Sequence, residues 1–375
     1  MMTLTPELAW ELACGGPFPA LEALNDRDDG FMLLAIRQAM TGVGLSSPNP
    51  PVGCVLVKEA RILGAGAHSR AGGPHGEIMA LQNAASKGED VRGATAYVTL
   101  EPCCHHGRTG PCTDALLQAG IARVVVGVRD PNPRVDGGGL AILQAHRIEV
   151  REGVLGEACT RLHAPFFKLI RSGLPWVMLK LALGSDRSPG PENHPVQVTP
   201  PEVQALAHAL RRASDAMVVG RRTALVDNPQ LTDRWPLRPP PHRVFRRVVL
   251  DSRGELPGDL RVWAPIPGQP ALRAVVGEPP ALPGVEDLRL PPGPGGCSLR
   301  HLLHELAAQG VGRVLFEGGG TLARRLLEQN LVDEFHEFNS DFPAGGNPLE
   351  LDLSGLPVQR VQIRFPGGNW TIWNR

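Results

Sequence analysis

Short aliphatic and β-branched runs recur along this chain and alternate with stretches of helical periodicity. That alternation restricts the fold more than any other feature. VGCVLV (52–57) and RILGAGAH (61–68) predict two strands around a Lys58-Glu59-Ala60 turn. ATAYVTL (94–100), RVVVGV (123–128) and IEVREGV (148–154) predict three more. FMLLAIRQAMT (31–41), GGPHGEIMALQNAAS (72–86) and TDALLQAG (113–120) carry helical patterns. Gly120 stops the last of these, and the early proline of the second puts His75 and Glu77 in its opening turn. A three-layer α/β domain is the expected outcome.

A second series begins near residue 165. PWVMLKLAL (175–183), AMVVG (216–220), RRVVLDS (246–252) and GRVLFEGGG (312–320) predict strands. PPEVQALAHALRRAS, LRHLLHELAAQG and TLARRLLEQ predict helices, and the Pro/Gly-rich stretches 235–245 and 278–297 predict a loop and an exposed segment. The organisation expected is an N-terminal extension over 1–28, a first domain over 29–165 and a second over 166–375. No repeat relates the halves.

Composition narrows the function. With 38 Lys+Arg against 38 Asp+Glu, the net charge of zero removes the simplest argument for a nucleic-acid or anionic-membrane partner. No segment reaches the ~18 consecutive apolar residues of a membrane span. The first basic residue is Arg27, so the start lacks the charged region of a signal peptide, and a cytoplasmic location is expected. Seven cysteines, three of them at 103, 104 and 112, point to a metal or a reactive thiol rather than a disulfide framework.

The chemistry lies in His75-Gly76-Glu77 and in Pro102-Cys103-Cys104-His105-His106-Gly107-Arg108-Thr109-Gly110-Pro111-Cys112. A catalytic zinc wants three ligands and one open position, which one imidazole and two thiolates supply. Zinc makes its water a nucleophile near neutral pH. A carboxylate beside the metal can then move that water's proton to a leaving amine. His-x-Glu followed by Pro-Cys…Cys is the pattern of zinc deaminases. Other readings stand beside it: a Cys103–Cys112 disulfide, or a structural zinc whose fourth ligand is Cys104, His105 or His106.

These segments resemble the deaminase half of the bacterial RibD family of riboflavin biosynthesis. The resemblance rests on SPNPPVGCVLV (47–57), GAHSRAGGPHGE (66–77), YVTLEPCCHHGRTGPC (97–112) and DPNPRVDGGG (130–139). The HHGRTGP insertion separates the chain from cytidine and tRNA-adenosine deaminases. The resemblance implies a cytidine-deaminase-like fold acting on 2,5-diamino-6-ribosylamino-4(3H)-pyrimidinone 5′-phosphate. It implies zinc on His75, Cys103 and Cys112, Glu77 as the catalytic proton shuttle, and Asn49, His68, His105 and Arg108 on the substrate. Two departures are visible: Gly76 for the usual Ala, which is expected to be tolerated, and Cys104 for the usual Ser.

Residues 175–335 resemble the family's reductase half, which implies a dihydrofolate-reductase-like α/β fold using NADPH. The matching pieces include LK at 179–180, DNPQLTDR (227–234), VVLDS (248–252) and FEGGGTL (316–322). By the resemblance, Arg211, Leu231, Arg234 and Glu317 contact substrate. Thr223, Asp227, Ser252 and the turn Gly319, Gly320, Thr321, Leu322 and Ala323 contact NADPH. Lys180 and Asp227 are polar participants in ring opening or proton transfer. The usual Ser-Leu-Asp-Gly-Lys/Arg loop is replaced by GSDRSPGPENHPVQVT (184–199), with Arg187 for Gly and Gln197 for a usual Trp. NSDFPAGGNP (339–348) replaces an apolar strand–loop. The leading expectation is therefore a bifunctional enzyme with a small-molecule substrate, zinc and NADPH, with homo-oligomerisation open. The alternatives are a deaminase with a non-catalytic second half, a nucleic-acid base deaminase and a zinc-stabilised scaffold.

Overall fold

The computed structural model describes residues 5–20, 24, 26–105, 110–191, 193–234, 240–356, 358–365 and 367–375. The chain divides into two compact units. One is Cys14–Gly173; the other joins helix α1 (Pro6–Ala13) to Leu174–Arg375. The described part of 1–28 is thus shared between the units. The division falls after a helix that runs through residue 165, Gly156–Ser172.

The first unit runs α2 (Arg27–Met40), β1 (Gly53–Lys58), β2 (Arg61–Ala67), α3 (Gly76–Ser86), β3 (Thr95–Leu100), α4 (Cys112–Gln118), β4 (Arg123–Val128), α5 (Gly138–Ala145), β5 (Glu149–Glu152) and α6 (Gly156–Ser172). The sheet order is β2-β1-β3-β4-β5. The β1–β2 and β1–β3 pairs are antiparallel, whereas β3–β4–β5 are parallel. Alternation decides the layers. Cys54, Leu56, Ala96, Val98, Val124 and Val126 pack with Ala80, Ala84, Leu116, Leu140 and Leu143 of α3, α4 and α5. The opposite face receives α2 and α6.

Helix α2 begins four residues before its apolar run, because Asp26 caps it and Asp28 turns inward. Asp28 accepts from Tyr97 Oη at 2.7 Å, Arg123 at 2.8 Å and Arg151 at 2.5 Å.

The second unit runs β6 (Trp176–Leu183), α7 (Pro201–Ala213), β7 (Ala216–Gly220), α8 (Arg221–Val226), β8 (Arg246–Leu250), β9 (Ala271–Val275), β10 (Glu286–Arg289), β11 (Pro292–Gly293), β12 (Gly296–Cys297), α9 (Leu299–Ala308), β13 (Arg313–Glu317), α10 (Gly320–Glu328), β14 (Glu334–Ser340), β15 (Val358–Phe365) and β16 (Gly368–Asn374). Its nine-stranded sheet has the order β10-β9-β8-β7-β13-β6-β14-β16-β15. Strands β10 to β14 are parallel across that order, and β16 and β15 are antiparallel. β13 returns to lie between β7 and β6, so the strand order reverses there. In open α/β sheets a ligand crevice forms outside the carboxyl ends of the strands at such a point.

The segment 278–297 is not merely an exposed stretch. It supplies the edge strand β10 and the small β11–β12 hairpin.

Candidate active sites

The first cavity, about 400 Å³, opens at the carboxyl end of β3 and is lined by Asn49, His68, His75, Glu77, Cys103, His105, Asp130 and Asn132 among others. His75 is the N-cap of α3, Cys112 is the first residue of α4, and Cys103 lies in the loop after β3. His75 Nδ1 faces both sulfurs, 3.2 Å from Cys112 Sγ and 3.5 Å from Cys103 Sγ. The ligand atoms of the three residues lie within 4.8 Å of one another. The Cys112 amide donates to Cys103 Sγ at 3.4 Å.

The thiols influence each other. A hydrogen bond from Cys112, with help from His75, holds Cys103 well below the usual thiol range. Cys112, bonded to Cys103 and buried beside Glu77, is pushed up. A dication deprotonates such thiols outright. One imidazole and two sulfurs, converged with one side open to a cavity, fit zinc with a free position. Cys104 is directed elsewhere: its Sγ lies 3.6 Å from the Arg134 carbonyl oxygen and against Gly138.

Glu77, in the first turn of α3, is buried. Burial first, then the Cys103 thiolate, raises its carboxyl to about 7. His68 is held from both sides: its Nδ1 lies 2.9 Å from the Pro74 carbonyl oxygen and its Nε2 3.2 Å from Asn49 Nδ2. The carbonyl can only accept, so Nδ1 carries the proton and Nε2 accepts from the Asn49 amide. Burial lowers the His68 pKa and keeps the ring neutral. His105 Nδ1 is buried without a hydrogen-bond partner among the described residues. Arg108 and His106 lie outside the described residues.

Two lining residues, Asp130 and Asn132, received no role from the sequence. The signal was present in the DPNPRVDGGG segment, whose glycines only acquire meaning once its neighbours are known. Gly76 also reads differently in three dimensions. A Cβ at this position would stand 2.4 Å from the Val52 carbonyl oxygen, so this backbone accommodates the glycine and leaves no room for the Ala it replaces unless the backbone shifts.

The second cavity, about 1050 Å³, lies at the carboxyl ends of β6, β7, β8 and β13. Arg211, Leu231, Arg234 and Glu317 line it, as do Thr223, Asp227, Ser252, Gly319, Gly320, Thr321 and Leu322. Ala323 is buried in the core instead. Arg211 grips Glu317 in a two-pronged pair, Nε to Oε1 at 3.0 Å and Nη2 to Oε2 at 2.9 Å. Burial opposes the Glu317 charge, but Arg211 and Lys180 outweigh it and hold the carboxyl below its usual range. Burial also lowers Lys180. Burial, then Arg211 and Arg234, takes His208 down to about 4.

At the start of α10 the turn 318–320 presents backbone amides, a setting suited to a dinucleotide phosphate. Ser252 Oγ accepts from the Cys297 amide at 2.8 Å, which ties β8 to the β11–β12 hairpin. These features fit NADPH.

The two replaced segments of this half hold each other. Asp186 accepts from the Ala344 and Gly345 amides at 3.1 and 2.8 Å, and Ser188 Oγ donates to the Gly345 carbonyl at 2.6 Å. Arg187 Nη1 pairs with Glu337 at 2.7 Å and donates to Asn339 Oδ1 at 2.9 Å. Arg187 has φ +57, the left-handed region that glycine enters more easily. Gln197 lines the cavity and donates to the Thr199 carbonyl at 3.2 Å.

Residues 25–128 match the family described as cytidine and deoxycytidylate deaminase zinc-binding region, and residues 175–362 match the RibD C-terminal domain. The chain is 39% identical over 319 residues to the riboflavin biosynthesis protein RibD of Escherichia coli strain K12, covering 82% of this chain and 86% of that protein. It is 37% identical to the RibD of Aquifex aeolicus, covering 84% and 87%. A solved deaminase/uracil reductase from Thermotoga maritima superposes with a TM-score of 0.80 at 35% identity, over 92% of this chain and 98% of that one. Acinetobacter baumannii RibD superposes at 0.78 with 30% identity, over 95% and 99%.

Proposed function

The chain belongs to the RibD family of bifunctional riboflavin biosynthesis proteins, a zinc-dependent pyrimidine deaminase joined to an NADPH-dependent reductase, and from that premise we propose which side chains carry each reaction. The first reaction deaminates 2,5-diamino-6-ribosylamino-4(3H)-pyrimidinone 5′-phosphate, and the second reduces the ribosyl chain to ribityl.

The observation that carries the first assignment is a buried carboxyl, Glu77, in the same cavity as a converged imidazole and two sulfurs. His75, Cys103 and Cys112 would hold zinc. When bound, zinc supplies the Lewis acidity that makes water nucleophilic near neutral pH. Glu77 takes the proton of the attacking water and delivers it to the departing amine. The Asn49 amide is committed to His68, which leaves its carbonyl oxygen to accept from the pyrimidine. His105 offers its unpartnered Nδ1 edge, and Arg108 is assigned the substrate phosphate.

In the second cavity Glu317 fixes the Arg211 guanidinium, and with Leu231 and Arg234 these residues hold the ribosyl substrate. Thr223, Asp227, Ser252 and the turn Gly319, Gly320, Thr321 and Leu322 hold the dinucleotide; Ala323, whose amide donates to the Gly319 carbonyl, packs beneath the turn. NADPH, when bound, supplies the hydride that reaches C1′. Lys180, its charged form disfavoured by burial, and Asp227 are assigned the polar roles in ring opening or proton transfer; both line the cavity.

No helix among the described residues is long and apolar enough to cross a membrane. A cytoplasmic location and the absence of a nucleic-acid partner are parts of this proposal. The neutral net charge and the small volume of the first cavity support the second of these.

The test is to supply the diamino substrate and follow ammonia release, then NADPH oxidation on the deaminated product. Both are expected. A chelator that strips zinc should stop ammonia release and leave NADPH oxidation of pre-deaminated substrate intact. Ammonia release without any NADPH oxidation at high enzyme concentration would reject the reductase roles.

A further inference from the structure

Glu101 follows β3 directly and continues its parallel pairing, its amide donating to the Val128 carbonyl at 2.9 Å. Its side chain turns away from solvent, and the residue is 3% exposed. Oε2 accepts from the Gly137 amide at 3.0 Å and the Asp130 amide at 3.4 Å. Oε1 accepts from the Gly139 and Leu140 amides at 3.1 and 3.3 Å. These four partners are all backbone amides, and two belong to the first turn of α5, where the helix dipole also favours an anion.

The glycines of the segment make this wrapping sterically feasible. A Cβ on Gly139 would stand 2.1 Å from the Pro102 carbonyl oxygen and 3.3 Å from Glu101 Oε1. Gly137 has φ +81. The loop so wrapped carries Asp130 and Asn132, and each stiffens it further. Asp130 Oδ1 accepts from the Asn132 amide at 2.8 Å, and Asn132 Oδ1 accepts from the Arg134 amide at 3.1 Å. Glu101 is two residues before Cys103, so one carboxylate joins the segment carrying that sulfur to the loop carrying the lining residues Asp130 and Asn132.

We propose that Glu101 is a positioning residue for deamination: its carboxylate clasps the 130–140 loop onto the Pro102–Cys103 segment and thereby sets how far the substrate-binding wall stands from the metal centre. This rests on the deaminase reading above. A buried carboxylate with four amide donors is a strong clasp, because charge-assisted hydrogen bonds are about twice as strong as neutral ones. Its amide isostere would turn a donor toward the donors that face it.

The test uses the full chain, whose reductase reports independently on folding of the other unit. In Glu101→Gln, zinc content and NADPH oxidation are expected to stay at wild-type levels. The KM for the diamino substrate should rise about tenfold or more, the scale of one lost buried hydrogen bond, and exceed the fall in kcat. Gly139→Ala should give the same KM-dominated defect, and the double variant should be no worse than the poorer single one, since both open the same clasp. Wild-type KM in Glu101→Gln overturns the proposal, as does loss of zinc in parallel with kcat, or additive KM effects in the double variant. If the wild-type protein released no ammonia, the deaminase reading itself would fail. If it did and Glu101→Gln matched it, only the clasp would be wrong.

Discussion

The two cavities are built on opposite plans. In the first, the reactive groups are the chain's own side chains, brought within a few ångströms by a helix start, a strand end and the loop between. In the second, residues from 180 to 349 contribute, and most supply shape, backbone amides or a fixed charge. The reason is chemical. A hydrolytic site needs its acid–base group and metal ligands at set distances, which demands short, rigid motifs. A cofactor-dependent site borrows its reactive atom, and the protein supplies binding and orientation. The first site should therefore fail sharply at single atoms, and the second should degrade gradually.

The sharpest break is Glu77→Gln. Ammonia release should fall by about a hundredfold to ten-thousandfold, the range for loss of a general acid–base group. Zinc content and NADPH oxidation should persist, and turnover near wild type would return the motif to a structural role.

Gly76→Ala comes next. The added carbon meets backbone rather than a yielding side chain, so destabilisation of about 1–3 kcal/mol and reduced zinc retention are expected. A denaturation midpoint equal to wild type would show that α3 can shift without cost.

The second cavity responds to pH through His208. The unfolded chain takes up this proton near 6.5 and the folded one near 4. Between those values the unfolded state binds more protons, so stability falls as pH drops from 6.5 toward 4 and is fully present above 6.5. Denaturation midpoints across that window should slope less in His208→Gln than in wild type; equal slopes would remove His208 from the account.

The smallest effect is expected at Arg187→Gly. Glycine relieves a left-handed backbone costing about 1–2 kcal/mol. It also strips the partner from buried Glu337, a loss of about 1–3 kcal/mol. The net change should be about 1 kcal/mol or less, with a KM for NADPH only a few-fold higher. A collapse of reductase activity would mean that the exchange between the 184–199 and 339–348 segments is less balanced than their contacts indicate.

The same contrast governs what could be read in advance. Strands of uniform apolar composition, 123–128 and 216–220, were legible to the residue. Strands β9, β10 and β14, where charge interrupts the apolar pattern, were not. Arg273 on β9 is fully buried, holding Asp287 and the Pro280 carbonyl, so ALRAV and EDLR lack the expected alternation. β14, EFHEFNS, buries Glu334 and His336, which bond at 2.5 Å, and Trp370 donates to the same imidazole at 3.2 Å. The buried charges on these strands meet partners on other segments, as Arg273 meets Asp287 and Pro280, or a neighbour two residues away on the same strand, as His336 meets Glu334. A local pattern cannot reveal either. α5 was missed because it opens on glycines, which by propensity argue against a helix.

What sequence alone supplied is the pattern of the first site: residue types name the chemistry, and the short spacings within His75-x-Glu77 and within Cys103…Cys112 are local, whereas the fold joins those two segments across 28 residues. It also marked the alternation that makes two α/β units. Only the tertiary structure decided which loops face each cavity, why Glu101 is buried, why Gly76 has no room for a methyl group, and how two altered segments support one another. Those outcomes depend on close approach between backbones distant along the chain, and close packing assigns them only once all neighbours are present.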